Sequence, residues 1–394
     1  MMNGAHTIGR RAASRTFALW NLGFRPFYLL ASVFAAVSVA LWVCQYAGVL
    51  PFVYVRGPTW HGSEMLFGFA LAVAAGFLFT AVRNWTGRPT PSGPVLAGYA
   101  LLWIAGRILA ATPYLTAAAW VNGAFPVAVA IGVAVPLLAS RNRRNYFFVA
   151  LLAALGVVAV ALHLSYFGVL EWPERTGLQA GLDIVMFIMA VVGGRVIPMF
   201  TNNGVPGASA RRNPIVEKLA LGGILLLLVV DIAQPSAGVA ALAAALAIVH
   251  AVRLALWQPW RTLHTPLVWI LHAAYAWIVV HLALRALAVL GFVPYTIALH
   301  ALTIGGIGGL TIGMMTRTAR GHTGRPLVAD RRDAACYILV MLAAVLRVFG
   351  ALAFPGAYLA TIVAAGACWS TAFIVYAAAY APSLMRGRRD GKPG

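Results

Sequence analysis

A succession of long apolar runs, separated by short basic loops, fixes most of what this chain can become. The runs cover residues 24–46, 62–83, 94–112, 117–139, 146–169, 179–200, 215–233, 236–256, 266–290, 293–316, 334–353 and 356–381. Each is about as long as the ~20 residues a helix needs to cross the hydrocarbon core of a bilayer. The predicted fold class is therefore all-α: a polytopic transmembrane helical bundle of about twelve spans.

Composition agrees. Of 394 residues, 62% are hydrophobic and only 10% are charged, whereas a soluble domain carries about 25% charged residues. Too little polar surface exists to face water all round, so lipid is the expected solvent and the bilayer the expected partner. The formal net charge of +20 does not mark a nucleic-acid binder, because the basic residues sit in short clusters between the runs. Cys44, Cys336 and Cys368 lie inside apolar runs without CxxC spacing. They read as small buried apolar residues rather than a disulfide framework or thiolate metal site. The first run is too long for a signal-peptide core and lacks a convincing cleavage site, so it reads as a retained span. No long hydrophilic stretch interrupts the series. Residues 24–382 form one predicted transmembrane domain, between a basic N-terminal segment (1–23) and a basic tail (383–394).

Loop charge sets the orientation. Arg10, Arg11 and Arg15 precede the first run, and basic groups follow every even-numbered one. They are Arg83 and Arg88; Arg141, Arg143 and Arg144; Arg211, Arg212 and Lys218; Arg253 and Arg261; Arg317, Arg320, Arg325, Arg331 and Arg332; and Arg386, Arg388, Arg389 and Lys392. The opposite loops carry little: Arg56 and Arg175, with Arg285 and Arg347 near helix ends. Positively charged loops stay in the cytoplasm, which puts both termini there and favours an even number of spans.

Ionisable groups inside spans are expensive and therefore candidates for function. The set is Glu64, Arg107, Asp183, Arg195, Asp231 and several histidines. His61 opens the second run at the outer surface, and Glu64, three residues on, shares that helix face. His163 and His281 lie toward the outer side, and His300 lies ~10 Å below it. His250 and His272 share a depth nearer the cytoplasm, while His264 and His322 fall in predicted cytoplasmic loops. Imidazole is a good ligand for haem iron and for copper, and two histidines on different helices at one depth suit an axially held haem. His272 and His281 are about 180° apart on an ideal helix and do not readily serve one site. The bland reading of a single intramembrane histidine is a hydrogen bond to a neighbouring helix. Asp183 and Asp231 sit near outer helix ends, where exposure to water would explain them. Arg195 needs an anionic partner, such as a haem propionate, or else snorkels to the interface. The glycine-rich stretch Gly305-Gly306-Ile307-Gly308-Gly309 serves either close helix packing or a flat macrocycle beside His300. Met314 and Met315 are candidate soft copper ligands or core filler. No Walker loop, HExxH or nucleophile elbow occurs, so nothing supports hydrolysis or ATP-driven transport.

Several ordered strings carry a resemblance. They are Gly23-Phe24-Arg25-Pro26-Phe27, Trp60-His61-Gly62-Ser63-Glu64-Met65, Asn84-Trp85-Thr86-Gly87-Arg88, Gly193-Gly194-Arg195-Val196-Ile197-Pro198, His300-Ala301-Leu302-Thr303 and Gly321-His322-Thr323-Gly324-Arg325. Together they resemble the NnrS family of bacterial membrane proteins over nearly the whole chain. The resemblance implies a cytoplasmic (inner) membrane protein of about twelve spans that binds haem and copper. It also implies a role in the response to nitric oxide and nitrosative stress, often alongside denitrification. Arg25, His61, Glu64, Arg195, His300 and His322 match the family strings, and His272 fits its pattern. Ser63 departs from it, standing where many relatives carry a second histidine.

Three readings follow. The leading one is a haem- and copper-binding protein that binds or reduces nitric oxide, with an electron donor that the sequence does not identify. His61, His163 and His300 are the expected outer metal ligands. His250, His272, His300 and Arg195 are the expected haem contacts, and Glu64 the expected proton carrier. The rivals are a twelve-span transporter or permease for a small solute or metal, and a non-catalytic partner of a respiratory complex.

Overall fold

A computed structural model describes residues 16–51, 57–233 and 236–392. Arg10, Arg11, Arg15 and Arg56 lie outside them. The described chain is helical throughout. Its long helices are α1 (Phe24–Tyr46), α2 (Gly57–Thr86), α3 (Gly93–Leu109), α4 (Leu115–Ala139), α5 (Phe147–Tyr166) and α6 (Glu174–Gly204). They continue with α7 (Pro214–Ala233), α8 (Ser236–Leu256), α9 (Pro266–Val289), α10 (Tyr295–His322), α11 (Arg331–Ala353) and α12 (Tyr358–Met385). Among the described residues, ten helices are long and apolar enough to cross a membrane. The other two are α3, which is shorter, and α7, whose 20 residues include Glu217, Lys218 and Asp231. The chain is a multi-pass membrane protein.

Local chemistry explains the helix ends. Gly87, at φ +64°, closes α2, with its N–H on the Arg83 carbonyl. A left-handed residue of this kind stops a helix cheaply only when it is glycine. A capping box opens α11: the Asp330 carboxylate accepts from the Asp333 N–H, and the Asp333 carboxylate accepts from the Asp330 N–H. Three helices contain stretches of π-helix, at Glu64–Ala70 in α2, Ala301–Gly308 in α10 and Leu346–Gly350 in α11. Such stretches are rare and tend to mark functional sites.

The bundle closes on itself, because α12 packs along α1. The two ends of the described residues meet there. Phe17 and Arg386 form an antiparallel bridge, and the Ala18 N–H donates to the Met385 carbonyl at 2.8 Å. The tail is pinned beyond it: Arg388 donates to the His322 carbonyl at 3.1 Å. Hydrogen bonds from Arg388 also hold the exposed Asp390 carboxyl below its ordinary range.

Fully buried Arg25 finishes this junction. Its Nη1 donates to the carbonyls of Leu384 at 2.9 Å and Arg386 at 2.8 Å. These are terminal carbonyls of α12, which have no partner within their own helix. Arg25→Met should therefore destabilise the α1–α12 junction by about 2–3 kcal/mol. A lower melting temperature and faster proteolysis of the tail would register it.

Candidate functional site

The candidate residues fall into four polar clusters between helices. The first joins α2, α10 and α11 on the predicted outer side. The His61 ring lies flat on Trp42 of α1, with centroids 5.0 Å apart and planes at 7°. Its Nδ1 is buried and has no hydrogen-bond partner. His300 directly precedes the π-helical stretch of α10, and its Nδ1 donates to the Thr296 carbonyl at 2.6 Å. That bond fixes the tautomer and leaves Nε2 with its lone pair. Arg347, inside the π-helical turn of α11, bears electrostatically on both imidazoles, and His61 bears on His300.

The second cluster starts at Glu64 but runs the other way. Glu64 is buried, and its Oε2 lies 3.2 Å from Arg107 Nη1 of α3. Arg107 Nη2 donates to Asn122 of α4, and the Asn122 amide lies 3.4 Å from His163 Nε2 of α5. His163 Nδ1 donates to the Ala159 carbonyl at 2.7 Å, so both of its ring nitrogens are engaged. Glu64 and His163 also line a cavity of ≈ 50 Å³ with Ser63, Trp60 and Tyr166, which is room for water only. His61 and Glu64 were expected to share a face. They diverge, His61 toward α1, α10 and α11 and Glu64 toward α3, because regular α-helical geometry ends at Ser63 and π-helix begins at Glu64. His163 belongs with Glu64 rather than with the His61–His300 pair.

The third cluster contains both aspartates that water exposure would have explained. Asp183 is fully buried, and Arg285 Nη1 lies 3.3 Å from its Oδ1. Arg285 Nη2 lies 2.5 Å from Asp231 Oδ1. Gln179 donates to Asp183 at 2.7 Å. The ion triad ties α6, α7 and α9 together. One turn before Arg285, His281 donates from Nδ1 to the Ala298 carbonyl at 2.7 Å.

The fourth cluster holds the inner histidines, and it separates them. Arg253 of α8 forks onto Glu217 of α7, Nε to Oε1 at 2.8 Å and Nη2 to Oε2 at 2.7 Å. Its Nη1 donates to Tyr275 Oη at 2.6 Å and to the Ala190 carbonyl at 3.0 Å. His250 Nδ1 lies 2.7 Å from the same Tyr275 hydroxyl. The Tyr275 hydroxyl, which accepts from Arg253, thus also bridges to His250. His250 Nε2 is buried with no hydrogen-bond partner. His272 instead reaches Thr201 of α6 through Nε2 at 2.8 Å. The Thr201 hydroxyl donates to the Ile197 carbonyl, so it accepts from His272. Arg195 meets no carboxylate: it donates to Asn145 Oδ1 at 2.7 Å and lies over the rings of Phe147 and Phe148.

His250 and His272 each give one nitrogen to a different partner, Tyr275 and Thr201, and each keeps a buried nitrogen without one, so they are not brought onto a common partner. The glycine-rich stretch leaves no space for a flat macrocycle beside His300: a Cβ at Gly305 would strike the Trp277 ring, and one at Gly308 would strike Trp369. Those glycines admit indoles, which is the packing alternative. Copper is different. Among the described residues no three His, Cys, Asp or Glu side chains converge as a metal-holding set, but His61 and His300 offer two imidazoles with uncommitted nitrogens. Copper accepts imidazole ligands readily.

Sequence reasoning missed Asn122, Tyr275 and Thr201, neutral residues with no signal outside three-dimensional context. It named Arg285 and Arg347 only as loop-side charges. Their positions inside runs 266–290 and 334–353 were the available sign that both are buried.

The fold and these clusters define a class: a polytopic α-helical membrane protein with several charges buried in ion pairs between helices. The sequence model described as NnrS protein matches residues 18–388. The chain belongs to the NnrS family. No curated protein matches it.

Proposed function

We propose that this chain is a bacterial inner-membrane protein of the nitric oxide response that holds copper between His61 and His300. About twelve spans with both termini in the cytoplasm suit the pairing of Phe17 with Arg386, which requires an even number of crossings. The observation that carries the reading is that His61 and His300 lie near enough to act on each other's charge, while His61 Nδ1 lacks any partner and His300 Nδ1 is held by Thr296. The Trp42 face and the Thr296 carbonyl orient the two rings before any ligand arrives, as outer partners of metal-binding histidines do. Copper bound there would supply two redox states and a coordination position open to nitric oxide.

The protein's own contribution is orientation and proton handling. Glu64 is held by Arg107 at the edge of a water-sized cavity. A buried carboxyl beside water is suited to take up and release a proton. The Asn122–His163 bond keeps Arg107 and Asn122 in register across α3, α4 and α5. The test is protection in cells: a strain lacking the gene, complemented with wild type, His61→Ala or His300→Ala, and challenged with a nitric oxide donor. Wild type should restore growth and both variants should not. Equal restoration by the variants would remove the function from this site.

A further inference from the structure

Arg347 is nine-tenths buried, with 8% of its surface exposed. Its Nη2 donates to Tyr358 Oη at 3.0 Å, and its guanidinium carbon lies 5.2 Å from the Tyr358 ring centroid. Its Nη1 is buried with no hydrogen-bond partner. A buried charge needs a counter-charge, and the chain has nothing left to give. Only nine acidic residues exist in the sequence. Glu64 pairs with Arg107, Asp183 and Asp231 with Arg285, Glu217 with Arg253, Asp330 and Asp333 with Arg320, and Asp390 with Arg388. Glu174 accepts from Thr59, and Glu171 lies in the exposed approach to α6. Arg347 lies near enough to the two outer histidines to act on the charge of both, and one of them also has an unpartnered buried nitrogen, His61 Nδ1. The turn Tyr295–His300 packs directly on Leu346–Gly350, within an apolar cluster of Ile297, Ala298, Ala301 and Val348.

We propose that Arg347, His61 and His300 form the seat of a small singly charged anion, with Arg347 Nη1 as its donor and, in the metal-free protein, His61 Nδ1 as a second. One uncompensated guanidinium calls for one negative charge. Apolar walls favour an ion that sheds water easily, so nitrate should bind better than chloride, and doubly charged sulfate should not bind. The seat shares its histidines with the proposed copper site but does not depend on copper. A phospholipid phosphodiester has the same charge, and the experiment separates it from a free ion.

The test is calorimetric titration of full-length, chelator-stripped protein in a neutral detergent, with sodium nitrate, chloride or sulfate. Wild type should bind nitrate at one saturable site, chloride more weakly and sulfate not at all. Arg347→Met should weaken nitrate binding at least about tenfold, and Arg347→Lys should retain much of it. Arg347→Met removes a charge without a counter-charge, so its melting temperature in nitrate-free buffer should be no lower than that of wild type. Nitrate should raise the melting temperature of wild type only. No binding by wild type, or equal binding by Arg347→Met, would overturn the proposal. A phospholipid that co-purifies one-to-one with wild type, is lost in Arg347→Met and blocks nitrate would overturn the free-ion assignment. Because the titration uses metal-free protein, its failure leaves the copper reading intact, and absence of copper leaves the anion seat intact.

Discussion

Arg285→Met should destabilise the protein by about 3–5 kcal/mol, the usual consequence of stranding a buried charge. Here two carboxylates depend on one guanidinium, Asp183 at 3.3 Å and Asp231 at 2.5 Å. All three side chains are nearly inaccessible. Without Arg285, both carboxylates must be protonated or the contact between α6, α7 and α9 must open. The diagnostic is rescue. Adding Asp183→Asn and Asp231→Asn to Arg285→Met removes the stranded charge and should recover most of the loss. Thermal unfolding in detergent, followed by circular dichroism, measures all of these variants. A single variant as stable as wild type would show that the triad contributes nothing net.

Arg253→Leu should have an effect of similar size. Arg253 holds Glu217 in a bidentate pair, which is the strong geometry for a guanidinium and a carboxylate. It also ties α6 through the Ala190 carbonyl and α9 through Tyr275. Its loss leaves Glu217 with only the partly exposed Arg212, and about 3–4 kcal/mol should disappear. A second route gives the same result without touching a charge. A Cβ at Gly194 would collide with the Arg253 guanidinium, so Gly194→Val should evict it. The two variants should therefore match in melting temperature, and the double variant should be little worse than either one. Fully additive losses would show that Gly194 and Arg253 act separately.

This second case shows what the sequence could and could not reveal. The string Gly193-Gly194-Arg195 drew attention to Arg195, the residue with a charge. In the structure Arg195 meets Asn145 near Arg144 and Arg212, while the adjacent glycine makes room for an arginine from another helix. The helices themselves were legible, because hydrophobic length is a property of consecutive residues. The π-helical stretches were not, since they depend on packing, and one of them turned Glu64 away from His61. The Asp183 and Asp231 pairings needed Arg285, more than fifty residues away, and position along a helix alone suggested contact with water. The candidate site was half legible. Histidine depth grouped His61 with His300, but it also grouped His250 with His272, which Tyr275 and Thr201 then separate. Depth orders residues along one axis, and it carries no information about which way around the helix a ring points.

The most direct test is the copper content of the purified protein after copper-replete expression. The account predicts one copper per chain in wild type, retained in His163→Ala, and lost in both His61→Ala and His300→Ala while all four proteins remain folded. A wild-type protein without copper, or copper that survives both the His61 and His300 substitutions, would contradict it.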